Sequence, residues 1–122
     1  MKFHATITGW GEDALGFLDM EEMNCVIIFN DNAPEELAEI SILHTKSEVY
    51  EEPVPGDTLF FCGKAYDITA VGTEAKQTLR ELGHCTLSFK GGNEPERPGC
   101  IMLEGEKLTP ADIAKGGVIE IF

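Results

Sequence analysis

The sequence predicts a mainly β protein, a small single-domain antiparallel barrel or sandwich with two or three short helices. Short runs rich in Ile, Val, Thr and Phe recur along the 122 residues, and turn residues such as Asn, Asp, Gly and Pro separate them. Few segments show helical periodicity. The length fits one domain, residues 1–122, because a domain typically has roughly 100–200 residues.

Eight runs have the length and composition of β-strands. They are residues 3–8, 25–29, 40–46, 58–62, 65–71, 84–89, 100–104 and 118–122. The turns between them include Pro55-Gly56-Asp57 and Gly116-Gly117. Short strands at this regular spacing are typical of small antiparallel barrels and sandwiches.

Three short segments have helical signals. Residues 73–82 place Ala75, Leu79 and Leu82 on one face, and Gly83 follows as a helix stop. Residues 32–39 predict a shorter helix, with Asn32 as its N-cap and acidic residues in its first turn. A single capped turn is predicted over residues 109–112.

The charge balance is strongly acidic. There are 22 Asp and Glu against 9 Lys and Arg, so the formal net charge is −13. A field of this sign repels phosphate backbones and anionic lipids, so we expect no nucleic-acid partner and no membrane-surface role. Residues 1–57 hold 13 of the acids and 2 of the bases. This excess serves solubility or the docking of a cationic partner.

No segment resembles a signal peptide or a membrane span, since the longest apolar run, residues 25–29, is far shorter than the ~20 residues a spanning helix needs. We therefore predict a cytoplasmic protein with no direct membrane insertion. The cysteines lie far apart, mostly in strand-like runs, and we expect free thiols; they are Cys25, Cys62, Cys85 and Cys100. The spacings of common zinc sites and phosphate loops are absent, so neither a metal nor a cofactor is expected.

Histidines are the scarce reactive groups, and a neutral imidazole can accept a phosphoryl group and pass it on without metal or nucleotide. His44 fits this role best. Strand alternation over residues 40–46 would put His44 and Lys46 on one face, about 6.6 Å apart at ~3.3 Å per residue. Lys46 could then neutralise a phosphoryl group, and Thr45 adds a hydroxyl donor. The alternative for His44 is a structural histidine at a strand end.

The other two histidines have weaker signals. His84 follows the helix stop Gly83 and opens the next strand-like run, so it could cap the preceding helix or orient a neighbouring group. His4 alternates with apolar residues in a terminal strand, and a structural role is favoured for it.

One long string carries a resemblance to a known family. It is Leu79-Arg80-Glu81-Leu82-Gly83-His84-Cys85-Thr86-Leu87-Ser88-Phe89, supported by residues 69–72, 93–94 and 98–99 and by Ala33-Pro34-Glu35-Glu36-Leu37 followed by Ile42-Leu43-His44. These segments resemble the glucitol/sorbitol-specific IIA component of the phosphoenolpyruvate-dependent sugar phosphotransferase system (PTS). The resemblance covers essentially the whole chain in order, with a weak match over residues 1–23.

The resemblance implies a cytosolic phosphocarrier and phosphotransferase component without a cofactor. Members take a phosphoryl group from the histidine phosphocarrier protein and pass it to the IIB component, which phosphorylates glucitol/sorbitol or a related polyol as the IIC component imports it. The family's phosphohistidine falls on His44 and a second matched histidine on His84, for which we infer an auxiliary role on the phosphoryl group. The phosphate-stabilising roles of Lys46 and Thr45 rest on the local pattern alone.

Two rival interpretations stay open at this point. The first is a non-catalytic β-barrel module that binds a sugar or a regulatory protein, with His44 purely structural. The second is a metal-dependent barrel enzyme. A homo-oligomer formed through a sheet edge is also compatible with the sequence. For a phosphocarrier, the acidic half contains His44, and we expect it to steer a donor that carries positive charge.

Overall fold

Eight strands close into one barrel in the computed structural model, which describes residues 1–122. In chain order they are β1 (Phe3–Trp10), β2 (Cys25–Asn30), β3 (Ile42–His44), β4 (Thr58–Phe61), β5 (Lys64–Val71), β6 (Cys85–Ser88), β7 (Cys100–Gly105) and β8 (Val118–Ile121). Around the barrel they follow the order β1-β3-β2-β6-β7-β5-β4-β8. The predicted mainly β class is confirmed, and the barrel is the correct one of its two architectures.

The pairing is mixed rather than antiparallel throughout. Six of the eight neighbouring pairs are antiparallel, whereas β2–β3 and β6–β7 are parallel. A parallel neighbour needs a crossover connection, which strand-length patterns do not reveal. Because the sheet closes on itself, every strand has a paired neighbour on both sides.

The barrel interior is packed with the inward-facing residues of the strands. In β1, Phe3, Ala5 and Ile7 are buried while His4 is exposed, as the two-residue period of a strand requires. One cluster of 22 buried residues fills the space, and its largest members include Tyr66 and Phe61. This continuous core holds the strand ends in fixed positions.

Helix α2 (Thr73–Leu82) begins and ends at the predicted residues. Ala75 and Leu79 are fully buried against the barrel, whereas Leu82 is 43% exposed and does not belong to the buried face. Gly83 ends the helix in the left-handed conformation, with φ 63°, and its N–H donates to the Leu79 carbonyl at 3.0 Å. The helix therefore stops by the glycine mechanism that the sequence predicts.

The shorter elements differ from their predicted bounds. Helix α1 covers only Glu35–Ala38, and Pro34 rather than Asn32 is its N-cap. A 3₁₀ turn at Gly16–Leu18 was not predicted. The predicted turn near Thr109 is present as a 3₁₀ turn over Pro110–Asp112.

Four strands, β3, β4, β6 and β8, are shorter in the structure than predicted, and β4 and β8 each lose only their last residue. β3 covers Ile42–His44 instead of residues 40–46, and β6 begins at Cys85 instead of His84. The chain leaves the sheet directly after His44, so strand alternation does not extend to Lys46.

The cysteines are free thiols, as predicted. Cys25, Cys85 and Cys100 are buried and Cys62 is half-buried. Burial raises the pKa of the Cys25, Cys62 and Cys85 thiols, which keeps them protonated and weakly nucleophilic at neutral pH. Among the helices, none combines the length and the apolar character that crossing a membrane would require.

The carboxylate of Asp112 joins the turn at Pro110–Asp112 to β5. It accepts hydrogen bonds from the Thr109 N–H at 2.8 Å and the Thr109 hydroxyl at 2.9 Å, and Lys64 Nζ donates to it at 2.9 Å. The Thr109 N–H, followed by Lys64, lowers the pKa of Asp112 from 3.8 to about 2. Because the pKa is lower in the folded state, the stabilisation is present above the unfolded value and is lost as the pH falls through about 2.

Replacing Asp112 with asparagine should remove this part of the pH dependence. We expect the midpoint of thermal unfolding, followed by circular dichroism, to fall less between about pH 4 and about pH 2 in Asp112→Asn than in the wild type. Asp67→Asn, which changes an exposed carboxylate of β5 that forms no ion pair, is the control and should keep the wild-type fall. Parallel curves for Asp112→Asn and wild type would contradict this assignment.

Gly83 should tolerate no side chain. Its φ is left-handed, and a Cβ there would overlap Asn30 Oδ1 and lie 2.7 Å from His44 Cε1. We expect Gly83→Ala to lower the free energy of unfolding by at least about 2 kcal/mol, measured in urea. Gly63→Ala is the control, since Gly63 also has a positive φ, 85°, but faces open space. Equal losses in the two variants would show that the close approach at Gly83 has no energetic consequence.

Candidate functional site

His44 lies at the end of β3, where the barrel closes around it. Its register partners are Asn30 in the parallel strand β2 and Ile7 in the antiparallel strand β1. The Asp31 N–H donates to the His44 carbonyl at 2.8 Å, which ties the two strand ends together. The imidazole faces inward, is 0% exposed, and meets the ring of Phe3 edge-on at 5.9 Å. The structure thus buries the histidine that the sequence singles out.

Both ring nitrogens of His44 contact backbone carbonyls. Nδ1 lies 2.8 Å from the carbonyl oxygen of Thr45, and Nε2 lies 2.7 Å from that of Gly83. A neutral imidazole carries a single N–H, so in either tautomer one contact is a hydrogen bond and the other sets a lone pair against a carbonyl oxygen. The two carbonyls fix the orientation of the ring, and no carboxylate is hydrogen bonded to it.

The C-terminal end of α2 covers Nε2. The Gly83 peptide passes so close to the site that a Cβ would collide with Asn30 and His44. The backbone beyond it is also held, because the His84 N–H donates to the Thr78 carbonyl at 3.2 Å and the Thr78 hydroxyl donates to the His84 carbonyl at 2.6 Å. A helix terminus, rather than a strand, therefore controls access to this nitrogen.

Asn30 was not predicted as a site residue. It ends β2, faces the barrel interior, and is 5% exposed. Its Oδ1 has no hydrogen-bond partner, whereas its backbone carbonyl accepts from the Ala33 N–H at 3.0 Å. In the sequence Asn30 begins the turn-like string Asn30-Asp31-Asn32, so its local signal is that of a surface turn. Only the register with β3 reveals that it faces His44.

His84 lies beyond Gly83, and no hydrogen bond joins it to His44. Its Nδ1 is 3.1 Å from the Ile28 carbonyl, so the Nδ1–H tautomer donates there and leaves Nε2 without a proton. The ring also stacks on Phe29 with centroids 4.7 Å apart. The side chain is therefore oriented by β2, and the capping of α2 falls to the backbone of Gly83 and His84 instead.

Thr45 and Lys46 lie outside the buried part of the site. Thr45 is exposed, its N–H donates to the Thr6 carbonyl at 2.9 Å, and its hydroxyl accepts from the Thr6 N–H at 3.0 Å. Lys46 is exposed and forms neither an ion pair nor a hydrogen bond with His44. The predicted placement of His44 and Lys46 on one strand face is wrong, because β3 ends at His44.

His4 is separate from this group. It is exposed on β1, where Glu120 of β8 is its register partner, and its Nδ1 lies 3.2 Å from Glu120 Oε2. The Ser47 hydroxyl donates to the His4 carbonyl. These contacts join strand and loop on the outside of the barrel, in keeping with the structural role that the sequence favours.

The half of the chain that contains His44 has an acidic surface. Of the 13 acids in residues 1–57, only Glu51, Glu52 and Asp57 form ion pairs with Lys or Arg. Arg80 of α2 reaches Glu52 at 3.1 Å and so links the helix to the segment that follows His44. Both side chains of this pair are about half exposed, so it is worth roughly 0–1 kcal/mol. The remaining carboxylates of this half are exposed.

Comparison with known proteins agrees with this architecture. The PTS system glucitol/sorbitol-specific IIA component family matches residues 2–120. The PTS system glucitol/sorbitol-specific EIIA components of Escherichia coli (strain K12) and Shigella flexneri are each 37% identical over 118 residues, which cover 97% of this chain and 92% of those proteins.

A solved structure shows the same fold. The crystal structure of a PTS system IIA component from Enterococcus faecalis V583 superposes with a TM-score of 0.78 and covers 96% of this chain and 97% of that one, at 23% identity. With the family match over nearly its whole length, the chain belongs to the glucitol/sorbitol-specific IIA components of the PTS and is a phosphotransferase component.

Proposed function

We propose that residues 1–122 act as one IIA domain on the cytoplasmic side of the membrane. His44 accepts a phosphoryl group from the histidine phosphocarrier protein and passes it to the IIB component, for uptake of glucitol/sorbitol or a related polyol through IIC. The observation that carries this proposal is the ring of His44, which two backbone carbonyls hold at a strand end without a carboxylate or another side chain bonded to it. Such a ring is oriented, and Nε2 becomes available as a nucleophile once the helix end that covers it moves.

Nε2 is the nitrogen that the geometry favours as the acceptor. The Thr45 carbonyl belongs to the next residue, so it moves together with the backbone of His44. The Gly83 carbonyl belongs to a helix end, which can shift independently of β3. When the proton is on Nδ1, the lone pair of Nε2 points at the Gly83 oxygen at 2.7 Å, and this unfavourable contact favours displacement of the helix end.

The transfer step exchanges one nitrogen–phosphorus bond for another. The lone pair of His44 Nε2 forms a bond to phosphorus as the bond to the donor's histidine nitrogen breaks, and the electron pair returns to that nitrogen. Each ring keeps a proton on its other nitrogen, so no proton has to move. The positive charge passes to the His44 ring, where the Nδ1–H donates to the Thr45 carbonyl.

Three neighbouring groups assist in this proposal. His84 carries an unprotonated Nε2 when Nδ1–H donates to Ile28, and protonation of that nitrogen would make it a donor to the phosphoryl group. Lys46 is an exposed cation two residues after His44 with no ion-pair partner, and the Thr45 hydroxyl still has its proton to donate. Lys46 and Thr45 act from the solvent side, after the helix end has moved.

Replacing His44 should abolish phosphorylation. We expect His44→Gln, incubated with phosphoenolpyruvate, the first PTS enzyme and the histidine phosphocarrier protein, to take up no phosphate, because the nucleophile is gone. His84→Gln should be phosphorylated more slowly than wild type but to the same final extent. Phosphate incorporation is followed by intact-protein mass spectrometry.

The position and nature of the bond supply the control for this experiment. Wild-type phosphate should map to His44, should be lost in acid and should survive base. His4→Gln is the matched substitution outside the site and should behave like wild type. Phosphorylation of His44→Gln to the wild-type extent would overturn the assignment of His44. If the wild-type protein takes up no phosphate, the binding-module interpretation would replace the proposed function.

The acidic surface should make transfer sensitive to salt. Below saturation, we expect the rate of transfer from the phosphocarrier to fall about tenfold between about 0.05 and 0.5 M NaCl, since salt screens electrostatic steering. The double variant Asp31→Asn/Glu35→Gln should be slower at low salt and less sensitive to salt. Glu94→Gln/Glu106→Gln removes the same charge from the other half and should behave like wild type. A rate that is independent of salt would leave solubility as the role of the charge.

A further inference from the structure

One buried polar group beside His44 has no partner. The side chain of Asn30 is enclosed at the end of the barrel, with the residue 5% exposed, and its Oδ1 accepts no hydrogen bond. A buried amide oxygen without a donor destabilises a fold, so buried amides are normally satisfied. An apolar residue of similar size would avoid this penalty. A half-turn of the amide about its last side-chain bond exchanges Oδ1 for Nδ2, so the same position can offer N–H donors to an acceptor partner that is present only in another state of the protein.

The location of Asn30 identifies that partner. Asn30 and His44 are directly opposite each other in the parallel β2–β3 pair, and both are buried. A single additional carbon on Gly83 would overlap Asn30 Oδ1 and lie 2.7 Å from His44 Cε1. The amide, the imidazole and the Gly83 peptide thus converge on one small volume, next to the nitrogen proposed as the acceptor.

Other unpartnered buried side chains do not share this location. They are Asn24, Ser41, Tyr66 and Ser88. None of these is a register partner of His44 in the sheet, whereas Asn30 is. Only Asn30 combines a buried side-chain atom that lacks a hydrogen bond with direct pairing to His44 in the sheet.

We propose that the side-chain amide of Asn30 binds the phosphoryl group on Nε2 of His44, an inference that rests on the proposed function. When the Gly83 carbonyl moves aside, rotation of the amide about its last side-chain bond presents the two Nδ2 protons to a phosphoryl oxygen. The covalent chemistry is unchanged, since Asn30 forms only hydrogen bonds. A neutral donor holds the phosphoryl group less tightly than a guanidinium would, which suits a carrier that must release it.

Substitutions of Asn30 test this inference directly. Asn30→Ala removes the donor, and Asn30→Asp keeps the shape but replaces the NH₂ group with a carboxylate oxygen that repels phosphate. With phosphoenolpyruvate, the first PTS enzyme and the phosphocarrier, we expect kcat for phosphorylation of His44 to fall about 10- to 100-fold in Asn30→Ala and further in Asn30→Asp. KM for the phosphocarrier should stay within about twofold of wild type, because Asn30 is buried and cannot contact the docked partner.

A spectroscopic measurement separates phosphoryl binding from a structural role. The phosphorus NMR resonance of phosphorylated His44 should shift in Asn30→Ala, and the phosphohistidine should hydrolyse faster. Asn32→Asp is the matched control, since it adds the same charge as Asn30→Asp two residues away at an exposed position. It should leave kcat and the resonance unchanged.

Each outcome decides the inference. If Asn30→Asp fails to fold, Asn30→Ala still decides it, since it buries no charge. Wild-type kcat together with an unchanged resonance in Asn30→Ala would overturn the role of Asn30 and leave the proposed function intact. A wild-type protein that carries no phosphate on His44 would overturn both. A fall in kcat in Asn30→Asp that Asn32→Asp reproduces, with Asn30→Ala at the wild-type kcat, would show a general charge effect and would also overturn the role.

Discussion

The parallel pairing of β2 with β3 is the constraint on which the site depends. It sets Asn30 directly beside His44, with both side chains facing into the same end of the barrel. On its other side β2 pairs with β6, whose entrance is the Gly83 turn. Asn30, His44 and Gly83 meet because the end of β3 and the start of β6 both lie beside the end of β2. The glycine at the end of α2 has no side chain and so leaves space for the other two residues.

Burial of His44 gives the proposed site two opposing properties. Inside the barrel, the His44 ring is held by the Thr45 and Gly83 carbonyls and is shielded from water. For the proposed transfer, the same enclosure means that the α2 terminus has to move before phosphorus can reach Nε2. Arg80 of this helix forms an ion pair with Glu52 in the acidic half of the chain. The helix that covers Nε2 is therefore in direct contact with the surface proposed for docking.

The local patterns of the sequence were sufficient for most of the secondary structure. Eight strand-like runs correspond to the eight strands, and α2 has its predicted bounds because its buried face and its glycine stop are both encoded within a dozen residues. The errors lie where tertiary contacts override local preference. β3 is shorter than the predicted run of residues 40–46. After His44, the Thr45 N–H donates a hydrogen bond to the Thr6 carbonyl at the barrel end, and the chain then leaves the sheet.

By itself, the sequence determined the eight strand-like runs, the glycine that ends α2, the acidic half and the proposal that His44 is the reactive histidine. The tertiary structure alone decided the two parallel strand pairs, the burial of His44 beneath Gly83, the solvent position of Lys46 and the meeting of Asn30 with the imidazole. The physical reason is the range of the interactions. Periodicity, capping and charge act between residues close in the chain, whereas strand pairing joins residues 14 positions apart, such as Asn30 and His44, through contacts that no local pattern records.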